Sequence, residues 1–162
     1  SALAEIMLRF AAADDTHSAL FDALASSLDR IERAEAAQCT EAALGSAWHL
    51  LAVLGFAPSL DMCSTCHSPR ADTSSLQFSF SPSSGGILCA NCAKNSPGGR
   101  SIPAAEISRL AMWTAGSDTS NLEADTGSSH QRLLREYLHY HLSDNRALIA
   151  FEAWEHGRWS AP

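Results

Sequence analysis

The amino-acid sequence predicts a mainly α-helical protein: a helical bundle interrupted by a small four-cysteine module. Three observations support this fold class. Apolar residues recur at helical spacing on both sides of a central segment. That segment is rich in Ser, Gly and Pro, and it contains two Cys-x-x-Cys pairs. We therefore predict a helical domain in two parts, 1–57 and 103–162, separated by an insert at 58–102.

Three helices are predicted before the insert. Residues 3–12 have a short helical pattern, and a second helix follows N-cap candidates at 14–16 and ends near Ala37. Its apolar residues are spaced three and four apart, which predicts one buried stripe. The stripe consists of Leu20, Phe21, Leu24, Leu28 and Ile31. A third helix carries Trp48 on its apolar face and ends at Gly55, with Pro58 beyond it.

The insert has little helical periodicity. Alternating pieces at 76–81 and 85–89 predict two short strands, and the Ser-Gly-Gly at 84–86 predicts a turn between them. So long a segment is uncommon inside a compact domain unless something other than an apolar core holds it. The cysteines are the candidates for this role.

Helical order resumes after the insert. Pro103 is a favoured first helical residue, and the predicted helix runs through Trp113, a core candidate like Trp48, to Gly116. The polar stretch 116–129 predicts a loop. A strong amphipathic helix follows, and a last apolar segment covers 146–156. The apolar face of that amphipathic helix contains Leu134, Tyr137, Leu138, His141 and Leu142.

The cysteine spacing predicts a metal site. Cys63 and Cys66 form one Cys-x2-Cys turn, Cys89 and Cys92 form another, and residues 67–88 separate them. Two such turns can aim four thiolates at one point, the tetrahedral set that Zn²⁺ prefers at about 2.3 Å. The insert is therefore predicted to be a zinc-ribbon-like module. A closed four-thiolate site has no position for substrate, so the metal is expected to be structural. An iron–sulfur cluster could also use four cysteines.

Two redox interpretations of the same residues remain open. Cys63-Ser-Thr-Cys66-His67 has the pattern of a c-type haem attachment site, but a haem would leave the second cysteine pair unused. A thiol-redox pair would be expected at the start of a helix in a βαβ unit. A third alternative is a zinc-containing interaction domain of unrelated function. His67 itself either is an exposed side chain or replaces one cysteine as a ligand. The fifth cysteine, Cys39, is predicted to be a partly buried thiol.

Composition and motifs disfavour several functional classes. The formal net charge of −7 disfavours strong binding of nucleic acid by the chain as a whole. No apolar run is long enough to span a membrane, and the paired cysteines fit a reducing cytoplasm. The sequence has no glycine-rich phosphate loop, no His-Glu-x-x-His and no Gly-x-Ser-x-Gly. We therefore expect a non-enzymatic protein.

Arginines in the last third of the chain are candidate partner-binding residues. Arg132 and Arg135 lie one turn apart on the predicted amphipathic helix, and Arg146 follows it. Such arginines usually form a solvated face paired with carboxylates such as Glu136. Guanidinium groups beside apolar residues could instead bind an acidic peptide end of a partner protein.

Two segments resemble a known family beyond the cysteine spacing. LLAVLGFAPSLDMCSTC (50–66) and FSFSPSSGGILCANC (78–92) resemble the C-terminal part of RecO, a bacterial DNA-repair family of recombination mediators. LLREYLHYHLSDN (133–145) looks like the late helix of that family. In many members, Gly occupies the position of His67. The resemblance implies that the four cysteines of the two pairs are zinc ligands.

The resemblance also implies a function. RecO proteins are non-enzymatic; they bind DNA and act with RecR to load the recombinase RecA onto DNA coated by single-strand-binding protein. Their N-terminal OB-fold has no counterpart here. We therefore expect this chain to be the helical and zinc-binding portion, which binds partner proteins and contacts DNA only weakly.

Overall fold

The computed structural model describes residues 2–10, 18–70, 76–96, 98–117, 127–141, 149 and 153. Its elements, in chain order, are α1 (Ala2–Phe10), α2 (Ser18–Arg33), α3 (Cys39–Val53), β1 (Gln77–Ser81), β2 (Gly86–Leu88), α4 (Ala90–Lys94), β3 (Arg100–Pro103), α5 (Ala104–Thr114) and α6 (Gly127–His141). Helices predominate, and one small sheet lies between the helical parts, so the predicted fold class is confirmed. Within the described residues, no helix is long and apolar enough to cross a membrane.

Helix α3 is the centre of the bundle, because α1, α2, α5 and α6 all pack against it. Trp48 of α3 is fully buried and meets the ring of Tyr137 of α6 edge-on, with centroids 5.0 Å apart. Trp113 of α5 lies so close to α3 that a Cβ at Gly45 would be 2.7 Å from its indole ring. The prediction that both tryptophans belong to the core is confirmed.

Helix α2 differs from its prediction in length and in its buried face. It ends at Arg33 rather than near Ala37. Its buried residues are Leu20, Ala23 and Ser27. Phe21 is 70% exposed and Leu28 48% exposed, so the prediction that they are buried is wrong. Small side chains at the contact let helices approach closely, and an apolar pattern alone does not identify a serine as a buried residue.

The sheet of the insert is antiparallel, with strand order β2-β1-β3. Phe80 of β1 is opposite Ile87 of β2 on one side and Arg100 of β3 on the other. The sequence did not predict β3 or α4. Pro103 ends β3 instead of starting the helix, and α6 begins at Gly127, inside the predicted loop.

Apolar side chains and helix α6 attach the sheet to the bundle. Phe80 and Ile87 belong to the same buried cluster as the core residues of the helices. The ring of Tyr137 of α6 lies beside that of Phe80 of β1, with centroids 6.4 Å apart. His141 Nε2 lies 3.1 Å from the carbonyl oxygen of Pro82. The base of the insert is therefore part of the common core.

Candidate metal centre

The first cysteine pair lies on a tight turn closed by backbone hydrogen bonds. The N–H of Cys63 donates to the carbonyl of Ser68 at 2.8 Å, and the N–H of His67 donates to the carbonyl of Cys63 at 2.9 Å. The N–H of Ser64 donates to the carbonyl of Ile87 at 2.8 Å, which ties this turn to β2. The turn thus brings Cys63 and Cys66 to the strand that leads to the second pair.

The chain before this turn lies alongside β2 like a short parallel strand. Ser59 forms an isolated parallel bridge with Gly86. The N–H of Ser59 donates to the carbonyl of Gly85, and the N–H of Ile87 donates to the carbonyl of Ser59, both at 2.9 Å. A Cβ at position 86 would lie 2.3 Å from the Ser59 carbonyl oxygen. Glycine is required there because the two backbones approach so closely.

The second pair lies at the start of α4. Cys89 directly follows β2 and precedes the first residue of α4, and Cys92 lies inside that helix. The N–H of Ala93 donates to the carbonyl of Cys89 at 2.9 Å, which closes the first helical turn. Residues three apart on such a turn lie on the same side of the helix. Both sulfurs of this pair can therefore face the first pair.

The four sulfur atoms converge. Those of Cys63, Cys66, Cys89 and Cys92 all lie within 4.8 Å of one another, and the Cys66 and Cys89 sulfurs are 3.7 Å apart. A regular tetrahedron with metal–sulfur bonds of 2.3 Å has sulfur–sulfur edges of about 3.8 Å. The geometry fits one metal ion bound by four thiolates. A covalent haem on Cys63 and Cys66 would not account for the convergence of the second pair.

Electrostatics in the cluster also fit a cation. Burial raises the pKa of Cys63, but backbone hydrogen bonds from Cys66, Cys89 and Thr65 outweigh it and lower the pKa to about 6. The backbone N–H of Cys92 lowers the pKa of Cys89. The neighbouring Cys89 side chain, followed by burial, raises the pKa of Cys92 to about 12. The Cys92 thiol therefore ionises less readily than those of Cys63 and Cys89. A bound divalent cation would favour its thiolate form.

Two other residues considered in the sequence lie apart from the cluster. His67 is exposed and is not among the converging ligand atoms of the described residues. Its φ of 58° is in the left-handed region that favours glycine. Cys39 is exposed, so the prediction of a partly buried thiol is wrong. It is the first residue of α3.

The predicted arginine site is only partly within the described residues. Arg132 Nε lies 3.3 Å from Oε1 of Glu136, as expected for a solvated i, i+4 pair. Arg135 is exposed on the same helix, and Arg146 lies outside the described residues. The structure adds Arg100, whose guanidinium contacts the same Glu136 oxygen. The sequence did not indicate Arg100 because it lies on β3, far from α6 along the chain.

Fold and site together define a class of protein: a helical bundle with an inserted module organised by a closed four-cysteine centre. Residues 1–147 match the family model described as "Recombination protein O C terminal". The chain belongs to this family. The predicted family resemblance is thereby confirmed.

Curated relatives agree with this assignment. The chain is 34% identical over 148 residues to the DNA repair protein RecO of Synechococcus sp. (strain JA-2-3B'a(2-13)), a match covering 86% of this chain and 50% of that protein. It is 32% identical over 95 residues to the DNA repair protein RecO of Dehalococcoides mccartyi (strain ATCC BAA-2266 / KCTC 15142 / 195), covering 58% of this chain and 35% of that protein. The chain thus spans half the length of these relatives or less. No solved structure matches the chain significantly.

Proposed function

We propose that this chain is the helical and metal-binding portion of a recombination mediator that acts in DNA repair without catalysing a reaction. The observation that carries the proposal is the family match over residues 1–147. In this proposal, residues 58–102 are the metal-binding insert and 1–57 and 103–162 are the two parts of the helical domain. The whole acts in the cytoplasm as a scaffold for partners.

The proposed cofactor is one structural Zn²⁺ bound by Cys63, Cys66, Cys89 and Cys92. The convergence of the four sulfurs supports it, since thiolates in a tetrahedral set favour zinc. Elemental analysis and a visible spectrum of protein purified without added metal test this assignment. We expect about one zinc per chain and no visible absorption. A Soret band or an iron–sulfur absorption would refute it.

The proposed partners are RecR, single-strand-binding protein and, more weakly, DNA. The net charge of −7 opposes a polyanion, so this portion contributes little DNA affinity. Arg132, Arg135 and Arg146 are the proposed contacts for an acidic segment of a partner protein, since guanidinium groups bind carboxylates in bidentate geometry. In this proposal, protein partners therefore rank ahead of DNA.

Binding measurements test the scaffold function. Binding of the whole chain is measured to immobilised RecR and to immobilised single-strand-binding protein. Its binding to an oligothymidylate is measured in parallel. We expect binding to at least one protein and weaker binding to the oligonucleotide. Arg132→Ala should weaken protein binding, whereas Arg33→Ala should not, because Arg33 pairs with Asp29 on the distant helix α2. Binding to neither protein, or binding to DNA alone, would refute the proposal.

A further inference from the structure

The four sulfurs of the candidate metal centre differ in their access to solvent. Cys63 is 2% exposed, and Cys89 and Cys92 are half-buried, whereas Cys66 is exposed. Oxidation of a cysteine follows its thiolate character and its access to solvent. A bound metal ion keeps all four ligands deprotonated, so solvent access is the main difference between them. Cys66 is therefore the sulfur that a small oxidant in solution reaches first.

A neighbouring hydroxyl group restrains this exposed sulfur. Oγ of Ser68 lies 3.2 Å from the Cys66 sulfur. A metal-bound thiolate has no proton, so the Ser68 hydroxyl is the donor of this hydrogen bond. The bond stabilises the negative charge and makes the sulfur electron pair less available for attack on an oxidant. Ser64, in the same turn, instead donates its hydroxyl to the carbonyl of Ile87 at 3.2 Å.

A second sulfur lies close enough to react with an oxidised Cys66. The sulfur of Cys89 is 3.7 Å from that of Cys66. Cysteines that are oxidised reversibly often lie next to a second cysteine that resolves the first product into a disulfide. Cys66 belongs to the first turn of the centre, and Cys89 lies between β2 and α4. A disulfide between them would therefore join the two halves of the centre.

We propose that Cys66 is an oxidation site for small hydroperoxides, that Ser68 slows its oxidation, and that Cys89 is its resolving partner. With hydrogen peroxide, the Cys66 thiolate attacks one oxygen, the O–O bond breaks, and a sulfenic acid and hydroxide form. The Cys89 thiolate then attacks the Cys66 sulfur, forms the disulfide and expels a second hydroxide. Each sulfur loses one electron, and the peroxide gains two. The inference rests on the proposed four-thiolate zinc centre, which loses two ligands and releases its metal.

Oxidation of the whole zinc-loaded chain tests the site directly. The Cys39→Ser protein is used, because this change removes the exposed thiol that lies outside the cluster. Hydrogen peroxide is added, zinc release is followed with a chromogenic chelator, and sulfenic acid is trapped with dimedone in a parallel sample. Remaining thiols are alkylated, and the modified peptides are identified by mass spectrometry. We expect dimedone on Cys66, a disulfide between Cys66 and Cys89, and about one zinc released per disulfide.

Variants of the two serines test the role of the hydroxyl group. Ser68→Ala removes the donor and should speed zinc release about two- to tenfold, the range that one hydrogen bond is worth. Ser68→Thr keeps a hydroxyl and should release zinc at the parent rate. Ser64→Ala is the matched control and should also keep the parent rate, because the Ser64 hydroxyl bonds to a carbonyl oxygen. The zinc content before oxidation should be the same in every variant.

The outcomes separate this inference from the proposed metal centre. Protein that contains no zinc as purified would refute the centre and this inference with it. If zinc is present, three results would overturn the inference and leave the centre intact: dimedone on another cysteine, a disulfide between Cys66 and Cys63, or zinc retained in excess peroxide. Equal rates of zinc release for Ser68→Ala and Ser64→Ala would overturn the role of the Ser68 hydroxyl.

Discussion

The helical bundle and the four-cysteine insert of this protein are stabilised in different ways. The bundle has a continuous core of fully buried side chains, among them Trp48, Leu44 and Leu134. The insert adds Phe80 and Ile87 to that core at its base, but Met62 and Leu76 are 45% and 83% exposed. We therefore expect apolar burial to stabilise most of the bundle, and the proposed metal centre to stabilise the outer part of the insert.

The two regions also differ in how they accommodate buried polar groups. In the bundle, Arg109 of α5 pairs with the buried Glu41 of α3 at 3.3 Å, and His130 of α6 contacts Glu106 of α5. In the insert, the converging ionisable groups are four thiols, one of them buried, one exposed and two half-buried, which become thiolates together only beside a cation. Core mutations and acid should therefore lower the stability of the bundle, and metal removal should lower the stability of the insert.

The largest expected effect is loss of the centre. Cys63→Ser removes the most buried of the four sulfurs and should abolish stoichiometric zinc binding. The insert should then unfold and the protein become poorly soluble, because metal-binding energy in such modules is folding energy, about 10 kcal/mol or more. Elemental analysis measures the zinc content, and thermal unfolding measures the loss of stability.

Cys39→Ser is the matched control and should behave like the parent, since Cys39 is exposed and outside the cluster. A soluble, fully folded, metal-free Cys63→Ser protein would show that the insert does not need its centre.

A core substitution should act on the bundle instead. Trp48→Ala removes a fully buried ring that packs against Tyr137 and should cost about 3–5 kcal/mol in the free energy of unfolding. Zinc content should remain near one per folded chain. Phe21→Ala, at a 70% exposed aromatic of α2, should change stability by less than about 0.5 kcal/mol. Equal losses for the two variants, by denaturant unfolding, would contradict the described core.

Acid should weaken the bundle through His130. Burial, followed by the nearby charge of Arg109, lowers the pKa of His130 from 6.5 to about 4. Between these values the unfolded chain binds a proton that the folded protein does not, so stability falls as the pH falls through this window. The loss should reach about 3 kcal/mol at pH 4, and above pH 6.5 this residue should have no effect.

Denaturant unfolding at several pH values measures this dependence. Acid also protonates metal-binding thiolates, so a variant is needed to isolate His130. The slope of the free energy of unfolding against pH is therefore compared between the parent and His130→Gln, which should lose the contribution of His130. His139→Gln, at an exposed histidine of the same helix, should retain the slope of the parent. The same slope in all three proteins would exclude His130 as the cause.

The smallest expected effect on stability is that of replacing His67, beside the four-cysteine centre. His67 has a φ of 58°, which costs a non-glycine residue about 1–2 kcal/mol. His67→Gly removes that cost, and the greater freedom of glycine in the unfolded chain offsets part of the gain. We expect stability to rise by at most about 1 kcal/mol, with zinc content unchanged. A loss of zinc would show that His67 is a ligand, the alternative that the sequence left open.

Local patterns made much of the fold predictable. The helical periods around Leu20, Trp48 and Trp113 predicted α2, α3 and α5, and the two Cys-x2-Cys turns predicted a four-sulfur cluster. These signals are contained within a few turns of chain. The prediction of the buried face of α2 was wrong, since Ser27 is buried whereas Phe21 and Leu28 are exposed. The side of α2 that is buried depends on how this helix packs against α3, which a local apolar pattern does not contain.

Helix periodicity and a two-residue cysteine turn are local properties, so the sequence predicts a helical protein with four paired cysteines and a RecO-like pattern around them. Which distant groups meet is visible only in the folded protein. There Ser59 lies against Gly86, β3 joins the sheet, and Arg100 contacts the same carboxylate oxygen as Arg132. Contacts between residues far apart in the chain depend on how the elements pack, and no local pattern records that packing.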